Sequence, residues 1–294
     1  MHGVLLLGII AVAAVMIVFS AVSEAAARNA TQTGEDHAVS DSEVSIQSLT
    51  PQASFSSGAG ANFLGIKISK HGNLLSFESP AGAEAVFDGQ EGYTVRSFSN
   101  AGGDVVHGHD TGAVGEGFGP ATIAQPNPGA FPLTVTRNIT DRKFKLTQVW
   151  DRTDAAEKDI TVTMTLKNKS NATITSVALS HSGNYDVGVG SGDAGARTDD
   201  TALLWDDYSG IDASQSFLGV GVKMTTLSFG TLHFTDVEDR FDWIGPPGTR
   251  ERCEAVSTET PSPDGRNYVM RVVYGLSNIS AGKSKTVKFG IGRL

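Results

Sequence analysis

The segment from Asp159 to Ser180 constrains the fold most strongly, because its residues alternate between apolar and polar. In its first arm, apolar side chains occupy every second position from Ile160, and three threonines and a lysine lie between them. A period of two is typical of a strand with one buried face. The second arm repeats the alternation, with an extra residue between Ile174 and Val177 that predicts a β-bulge. Because the polar cluster 168–171 separates the arms, we predict an antiparallel hairpin.

Similar alternation elsewhere predicts an all-β chain of antiparallel strands. Hairpins are expected for the pairs 63–69 with 73–78, 83–87 with 93–98, 132–137 with 143–149 and 268–276 with 285–291, and further strands for 202–205, 217–224 and 226–234. The 34 glycines and 10 prolines suit many short strands joined by turns. No segment after the N-terminal apolar run shows a helical period, which argues against α/β nucleotide-binding folds and favours a β-sandwich.

The N-terminal region indicates export. Residues 4–22 are uncharged and almost wholly apolar, and they are followed by small residues up to Ala27. This pattern predicts a secretory signal cleaved after Ala27, a retained membrane-anchor helix, or a leader cut after Gly3. The protein is therefore expected to be secreted, periplasmic or on the cell surface.

Composition divides the remaining chain into three regions. Residues 28–60 are rich in Ser, Thr, Ala, Gln and Gly without a sustained period, which predicts a flexible tether before a folded part beginning near Asn62. Residues 61–150 predict an N-terminal β region, and residues 151–294 predict an immunoglobulin-like β-sandwich. These two regions could form one large two-sheet domain or two packed sandwiches.

Two motifs in the C-terminal half carry a resemblance to a known family. The segment TVTMTLKNKSNATITSVALS and the ending VVYGLSNISAGKSKTVKFGIG resemble the opening and closing strands of CARDB-like (cell-adhesion-related, conserved-repeat) modules of bacterial and archaeal exported proteins. The resemblance covers residues 159–294 at most. It implies an immunoglobulin-like sandwich and a role in adhesion.

Charge and cysteine content restrict the partners. The formal net charge is −9, and no run of Lys and Arg is present, so the sequence disfavours nucleic acid and anionic membrane surfaces as partners. Membrane contact is expected only through the N-terminal segment. Cys253 is the only cysteine, so no intrachain disulfide can form. Five glycosylation sequons are present, at Asn29, Asn138, Asn168, Asn171 and Asn278.

Two long Gly-rich segments, 100–130 and 184–200, predict loops where a ligand could bind. In the first, His107 and His109 would point to the same side of an extended chain and could share a metal, with Asp110 or a distant carboxylate completing the shell. The alternative is an ordinary polar loop.

The second loop offers hard oxygen ligands for calcium. A glycine-rich turn ends at Asp193, and Asp186, Asp199 and Asp200 lie close to it in the sequence. Calcium suits weak sites of extracellular sandwiches. The alternative is a solvated acidic loop, and no other cofactor is indicated.

A third candidate site combines tryptophans with carboxylates. Asp206 and Asp207 follow Trp205 in the sequence, and Glu238, Asp239 and Asp242 precede Trp243, which suits a sugar-stacking platform with acids for hydroxyl groups. A carboxylate pair beside such a platform could also hydrolyse a glycosidic bond. The alternative is that both tryptophans belong to the core of the sandwich.

The sequence gives little support to nucleophilic hydrolysis. No G-x-S-x-G elbow appears, and no Ser, His and Asp grouping stands out along the chain. We therefore expect a non-catalytic exported β-sandwich with a role in surface attachment, envelope structure or matrix assembly, which binds an envelope or extracellular glycan or protein. The alternatives are a carbohydrate-binding module and a secreted hydrolase, either glycosidase-like or metal-dependent.

Overall fold

The structure is a computed structural model of the 294-residue chain. It describes residues 51–60, 63–79, 81–82, 84–98, 104–110, 115–128, 131–152, 159–185, 193–197, 201–206, 221–228, 230–238, 262–266 and 269–293. The predicted signal or anchor, 1–27, lies outside the described residues. Within those ranges, no helix has the length and apolar character needed to cross a membrane.

The described residues form 18 strands in three antiparallel sheets. In chain order these are β1 Pro51–Ser57, β2 Leu64–Ser69, β3 Leu74–Glu78, β4 Val86–Phe98, β5 Asp104–Asp110, β6 Gly115–Glu116, β7 Phe118–Ala124, β8 Leu133–Ile139, β9 Phe144–Asp151, β10 Asp159–Asn168, β11 Ile174–Tyr185, β12 Asp193–Arg197, β13 Thr201–Asp206, β14 Gly221–Thr226, β15 Leu232–Glu238, β16 Ser262–Arg266, β17 Val269–Ile279 and β18 Ser284–Arg293. The sheets have the orders β1-β2-β3, β16-β12-β13-β14-β18-β10-β9-β8-β7 and β15-β17-β11-β4-β5-β6.

The nine-stranded and six-stranded sheets pack face to face, which confirms the antiparallel β-sandwich. The buried His181 ring on β11 lies 4.5 Å from Phe289 on β18 and 5.9 Å from Trp150 on β9. Tyr274 on β17 reaches the other sheet through its hydroxyl, 3.1 Å from that of Thr226. A single cluster of buried apolar side chains fills the space between the sheets.

The regions on either side of residue 150 share one sheet. The predicted boundary between residues 150 and 151 falls within β9, which pairs with β10 from Asp151↔Thr161 to Phe144↔Asn168. Residues Asp41–Leu294 belong to one compact unit. The strand pairing therefore favours one large two-sheet domain over two packed sandwiches.

Ordered structure begins earlier than the sequence predicts. Strand β1 starts at Pro51 and pairs with β2, so residues 51–60 belong to the fold and not to a tether. The predicted hairpin of β2 and β3 is confirmed, with Gly72 in the left-handed region at φ 85° in its turn. Because β1 is polar on most positions, its composition did not separate it from the preceding residues.

The predicted hairpin in 159–180 is wrong. Its first arm, β10, lies between β18 and β9 in the nine-stranded sheet, and its second arm, β11, lies between β17 and β4 in the six-stranded sheet. The connection 169–173 is therefore an arch that crosses about 10 Å from one sheet to the other. Alternation predicts that one face of each arm is buried, but it does not predict which strand lies beside it. The bulge between Ile174 and Val177 is confirmed.

The closing pair of strands forms a second arch, against the prediction of a hairpin. Strand β17 pairs with β11, whereas β18 pairs with β10. The two arches thus stack on each other, with connections 169–173 and 280–283 at the same end of the sandwich. We call this end the arched end.

Asn168 joins the two arches. Its side chain is fully buried, and its Nδ2 donates to the carbonyl oxygens of Ala172, at 2.8 Å, and Ile279, at 2.7 Å. Its backbone N–H donates to the carbonyl of Lys283 at 2.9 Å. The sequon at Asn168 is consequently buried, whereas Asn138, Asn171 and Asn278 are exposed.

Two further predictions need correction. The segments 83–87 and 93–98, predicted as a hairpin, are joined in one continuous strand, β4. The intervening residues 88–92, predicted as a turn, continue the strand, and Glu91 among them is buried. The segment 100–130, predicted as a loop, contains β5, β6 and β7. The predicted hairpin of β8 and β9 is confirmed.

Replacing Asn168 by alanine should destabilise the protein by about 2–4 kcal/mol, because the buried carbonyl of Ile279 and the partly buried hydrogen bond to the Ala172 carbonyl lose their donor. Asn171→Ala is a matched control in the same connection, where the side chain is exposed, and should change stability by less than about 0.5 kcal/mol. Urea unfolding of both variants measures the difference. Equal effects of the two substitutions would show that Asn168 does not join the arches.

Candidate functional site

A bulge in β5 turns its two histidines to opposite faces of the six-stranded sheet. The register against β4 shifts between Val95 and Arg96. As a result, His107 faces the nine-stranded sheet, and its ring lies 4.9 Å from that of Phe144. His109 faces outward, with Nδ1 2.8 Å from Thr94 Oγ1. The expectation that the histidines point to the same side is therefore wrong.

His107 is held between a serine and an aspartate. Its Nδ1 lies 2.6 Å from Asp141 Oδ2, and its Nε2 lies 2.8 Å from Ser97 Oγ. An ionised carboxylate can only accept, so Nδ1 carries the proton and Nε2 accepts from the serine hydroxyl. The His107 side chain is 1% exposed, whereas that of Asp141 is 31% exposed. The three side chains form a directed hydrogen-bond chain from Ser97 to Asp141.

Each member of this chain is fixed by local structure. Asp141 lies in the turn between β8 and β9, where its Oδ1 accepts the backbone N–H of Lys143 at 2.8 Å. Ser97 lies near the end of β4, paired with Val105 on one side and Val177 on the other. Both neighbouring strands carry a bulge at this level. Bulges of this kind often re-aim side chains beside active sites.

Burial favours the neutral form of His107. Desolvation lowers the pKa of its imidazole below the usual 6.5, against the opposing effect of the hydrogen bond that it donates to Asp141. The positive charge of Lys143 lowers the pKa further. At neutral pH the imidazole is therefore a base whose Nε2 is directed at a hydroxyl.

A second polar network lies deeper between the sheets. Asp110, 1% exposed, contacts the Arg137 guanidinium and accepts from Asn73 Nδ2 at 3.0 Å. Arg137 also donates to the hydroxyl of Tyr93 at 2.9 Å, and that hydroxyl donates to the His71 carbonyl at 2.7 Å. The network thereby joins β4, β5 and β8 to the β2–β3 turn.

A buried acid and histidine continue this network. Glu91 Oε1 is in direct contact with His181 Nε2, and both side chains are fully buried. Glu91 Oε2 accepts the backbone N–H of Leu74 at 2.8 Å. Burial raises the pKa of the Glu91 carboxyl, and His181 opposes the shift. Because every contact is inside the core and bonds the hairpin to the sandwich, we assign both networks a structural role.

The outward face of the nine-stranded sheet carries a row of threonines that crosses five adjacent strands. Each is paired in register with the next from β7 to β18: Thr122, Thr136, Thr147, Thr165 and Thr286. Their side chains are half-buried or exposed. The hydroxyls of Thr165 and Thr286 are 2.9 Å apart. We call these five residues the threonine row.

Basic side chains lie between this row and the arched end. This basic rim comprises Arg142, Lys143, Lys145, Lys167, Lys169, Lys283 and Lys285. None of them forms an ion pair among the described residues. Lys145 and Lys167 are direct cross-strand partners. The sequence shows no run of cations, but the fold brings these seven to one end of the sandwich.

The other predicted site residues fall where the structure does not describe their side chains. Asp193, Trp205 and Asp206 lie on β12 and β13, whose side chains at these positions are not described. The remaining predicted ligands lie outside the described residues: Asp186, Asp199, Asp200, Asp207 and Trp243. In the described part of the chain, no three His, Cys, Asp or Glu residues come together as a metal site.

No family model matches the chain, and no curated protein matches it. The CARDB-like resemblance therefore stays a prediction.

Solved structures do match. A bacterial glucoamylase complexed with acarbose aligns over 83% of this chain and 32% of that chain, with 6% identity and a TM-score of 0.52. Heparinase III aligns over 83% and 35%, with 10% identity and a TM-score of 0.40. A putative aldose 1-epimerase from Klebsiella pneumoniae subsp. pneumoniae aligns over 79% and 77%, with 13% identity and a TM-score of 0.37.

Of these three, the glucoamylase alone has a TM-score above 0.5. At 6% identity, this likeness shows a shared fold and nothing about activity. The chain spans about a third of the length of that protein. The β-sandwich described above is therefore an architecture that also occurs as part of a larger protein.

The lowered pKa of His107 predicts a dependence of stability on pH. Below pH 6.5 the unfolded state binds more protons at this histidine, so stability present above that pH is lost as the pH falls. Between pH 7.5 and 5.5, the wild type should lose more free energy of unfolding than His107→Gln, by up to about 1.4 kcal/mol per pH unit below 6.5. Urea titrations at both pH values measure this. Identical pH dependence of the two proteins would contradict the assigned protonation of His107.

Proposed function

We propose that this protein is an exported β-sandwich that attaches to an acidic polysaccharide of the cell envelope or extracellular matrix. The binding surface would be the outward face of the nine-stranded sheet at the arched end. The observation that carries the proposal is the basic rim, whose cations lie beside the threonine row with no ion-pair partner among the described residues. Export is inferred from the N-terminal segment, 1–27.

Electrostatics argues that the rim has a ligand. Lys145 and Lys167 are directly opposite on neighbouring strands, and like charges in this position destabilise a sheet by roughly 0.2–1 kcal/mol. The chain as a whole has a net charge of −9, so a cationic surface runs against its average composition. An anionic polymer would relieve the repulsion along the rim and would be attracted to this surface specifically.

The threonine row suits a hydroxylated polymer. Five strands about 4.8 Å apart make the row roughly 19 Å long. Threonine hydroxyls both donate and accept, so they can hydrogen-bond sugar hydroxyls along an extended chain. Together with the lysines, the row offers charge and hydroxyl recognition on one surface.

A polysaccharide is favoured over nucleic acid for two reasons. The net charge of −9 opposes the approach of a long duplex, whose charge density is uniform and high. A saccharide is also the ligand class of a structural neighbour, a glucoamylase complexed with acarbose, and this supports the proposal. The tryptophan and carboxylate site predicted around Trp205 and Trp243 stays a separate prediction.

The proposal predicts retention of the full chain by alginate, polygalacturonate or heparin in affinity electrophoresis, and no retention by neutral dextran. The double variant Lys145→Glu/Lys167→Glu should weaken binding at least about tenfold, because two attractive charges become repulsive. Retention should also fall as salt is raised. Lys67→Glu on β2 is the control, since Lys67 is an exposed strand lysine outside the basic rim.

Stability gives an independent readout on the same surface. Lys145→Gln should leave the free energy of unfolding unchanged or raise it by a few tenths of a kcal/mol, since it removes the like-charge pair. Lost binding in a protein that is as stable as the wild type would locate the ligand at the rim. Retention by duplex DNA but by none of the acidic glycans, or equal losses in Lys67→Glu and the double variant, would contradict the proposal.

A further inference from the structure

We infer that Ser97, His107 and Asp141 form a catalytic site that hydrolyses carboxylic esters with a short apolar acyl group. The inference is independent of glycan binding, because it is based on a different set of side chains. Its basis is the directed hydrogen-bond chain in which Ser97 Oγ lies 2.8 Å from His107 Nε2 and Asp141 Oδ2 lies 2.6 Å from His107 Nδ1. A nucleophile, a base and an orienting acid in this arrangement are what serine-dependent acyl transfer needs.

The roles follow from the hydrogen bonds. Ser97 Oγ would attack the carbonyl carbon of the ester while His107 Nε2 takes the hydroxyl proton. Asp141 is the positioning residue, because it holds the proton on Nδ1 and stabilises the imidazolium that forms. The tetrahedral intermediate then breaks its bond to the alkoxy group, which leaves as an alcohol with the proton from His107.

Water completes the reaction and restores the enzyme. His107 removes a proton from a water molecule, whose oxygen attacks the acyl carbon bound to Ser97. The second tetrahedral intermediate releases the carboxylic acid, and His107 returns the proton to Ser97 Oγ. The net reaction consumes one ester and one water, and it yields one alcohol and one carboxylic acid without any redox change.

His107 is the most deeply buried of the three residues, and Ser97 and Asp141 are more accessible. His107 is buried beneath the serine, and its low pKa keeps Nε2 free of a proton at neutral pH. Ser97 is half-buried near the end of its strand. The base is thus shielded from bulk water while the nucleophile stays within reach of a substrate at the arched end.

Neighbouring residues indicate the acyl group. Val105 is the direct cross-strand partner of Ser97 and is 41% exposed. Directly paired residues share a face with their Cβ atoms about 5 Å apart, so an exposed isopropyl group lies beside the nucleophile. A short apolar acyl chain would cover this surface, whereas a charged one would lose hydration against it.

A purely structural histidine would show the same hydrogen bonds, so the test must detect chemistry. Incubation of the full chain with a fluorophosphonate probe, followed by peptide mass spectrometry, should label Ser97, because only an activated serine reacts readily with such a probe. The Ser97→Ala variant should lose the label. Ser284→Ala, which removes an exposed serine at the same end of the sandwich, should keep it.

Turnover of p-nitrophenyl acetate and butyrate supplies the second measurement. Ser97→Ala should reduce kcat/KM at least about 100-fold, while Ser284→Ala stays within about twofold of wild type. Val105→Asp should raise KM more for the butyrate ester than for the acetate ester. Thermal melts of all variants identify any loss that comes from unfolding.

The pH profile separates the positioning role of Asp141 from a structural one. In the wild type, kcat/KM should rise with pH to a plateau, with a midpoint below 6.5. Asp141→Asn should lower the plateau while the protein stays folded, because an amide no longer fixes the tautomer of His107. A folded wild type that takes no label and shows no turnover, labelling of another serine, or full activity in Ser97→Ala would overturn the inference.

Discussion

The hydrogen bonds of the Asn168 carboxamide hold together two arches on which the rest of the structure depends. The arches bring β10 beside β18 in one sheet and β11 beside β17 in the other, so the chain crosses between the sheets twice at one end. The backbone N–H of Lys169 also donates to the Lys143 carbonyl at 2.7 Å, which fixes the β8–β9 turn against the first arch. That turn carries Asp141. The arches therefore position both the basic rim and the acid that orients His107.

The interior of the sandwich is polar along β4 and β5, which is unusual for two sheets packed face to face. Buried charges destabilise a fold unless each is paired and hydrogen-bonded. Here the Asp110 carboxylate is paired with the Arg137 guanidinium, and the Glu91 carboxyl is in direct contact with the His181 ring. Asp110 and Glu91 also accept hydrogen bonds from the β2–β3 turn. The three-stranded sheet therefore covers a region whose backbone groups an apolar core alone would leave unsatisfied. His107 belongs to this polar interior but lies at its open end, where Ser97 is only half-buried.

Local patterns in the sequence predicted the strands well, but they predicted poorly which strands lie side by side in a sheet. The alternation in 159–168 correctly gives β10 and its buried face, and the extra residue before Val177 correctly gives a bulge. Nothing in that pattern distinguishes a hairpin from an arch, because both put one face of each arm in a core. Strand β1 was missed because its outward positions are polar.

The candidate sites were harder to predict because their members are distant in sequence. Ser97 and His107 are ten residues apart, Asp141 lies 34 residues further on, and each belongs to a different element. The face of the sheet to which His107 points depends on the bulge in β5, and the local sequence does not predict that bulge. The basic rim is likewise assembled from several strands and turns, so no run of Lys and Arg marks it. One signal in the sequence could have pointed to a polar interior: several inward positions of β4 are polar, and Glu91 is one of them.

The most direct test of the account is a disulfide across the strand pair that the arches create. Thr165 and Thr286 are direct partners on β10 and β18, and their hydroxyls are 2.9 Å apart. With Cys253→Ser as background, Thr165→Cys/Thr286→Cys should form an intramolecular disulfide in the folded protein under mild oxidation, since Cα atoms of directly opposite antiparallel residues lie about 4.5–5.5 Å apart, within the range that a disulfide spans. Efficient disulfide formation in the folded protein, together with loss of that efficiency when the oxidation is done in urea, would establish the arches. A folded double variant that stays reduced would place β10 elsewhere and would contradict both functional sites at the arched end.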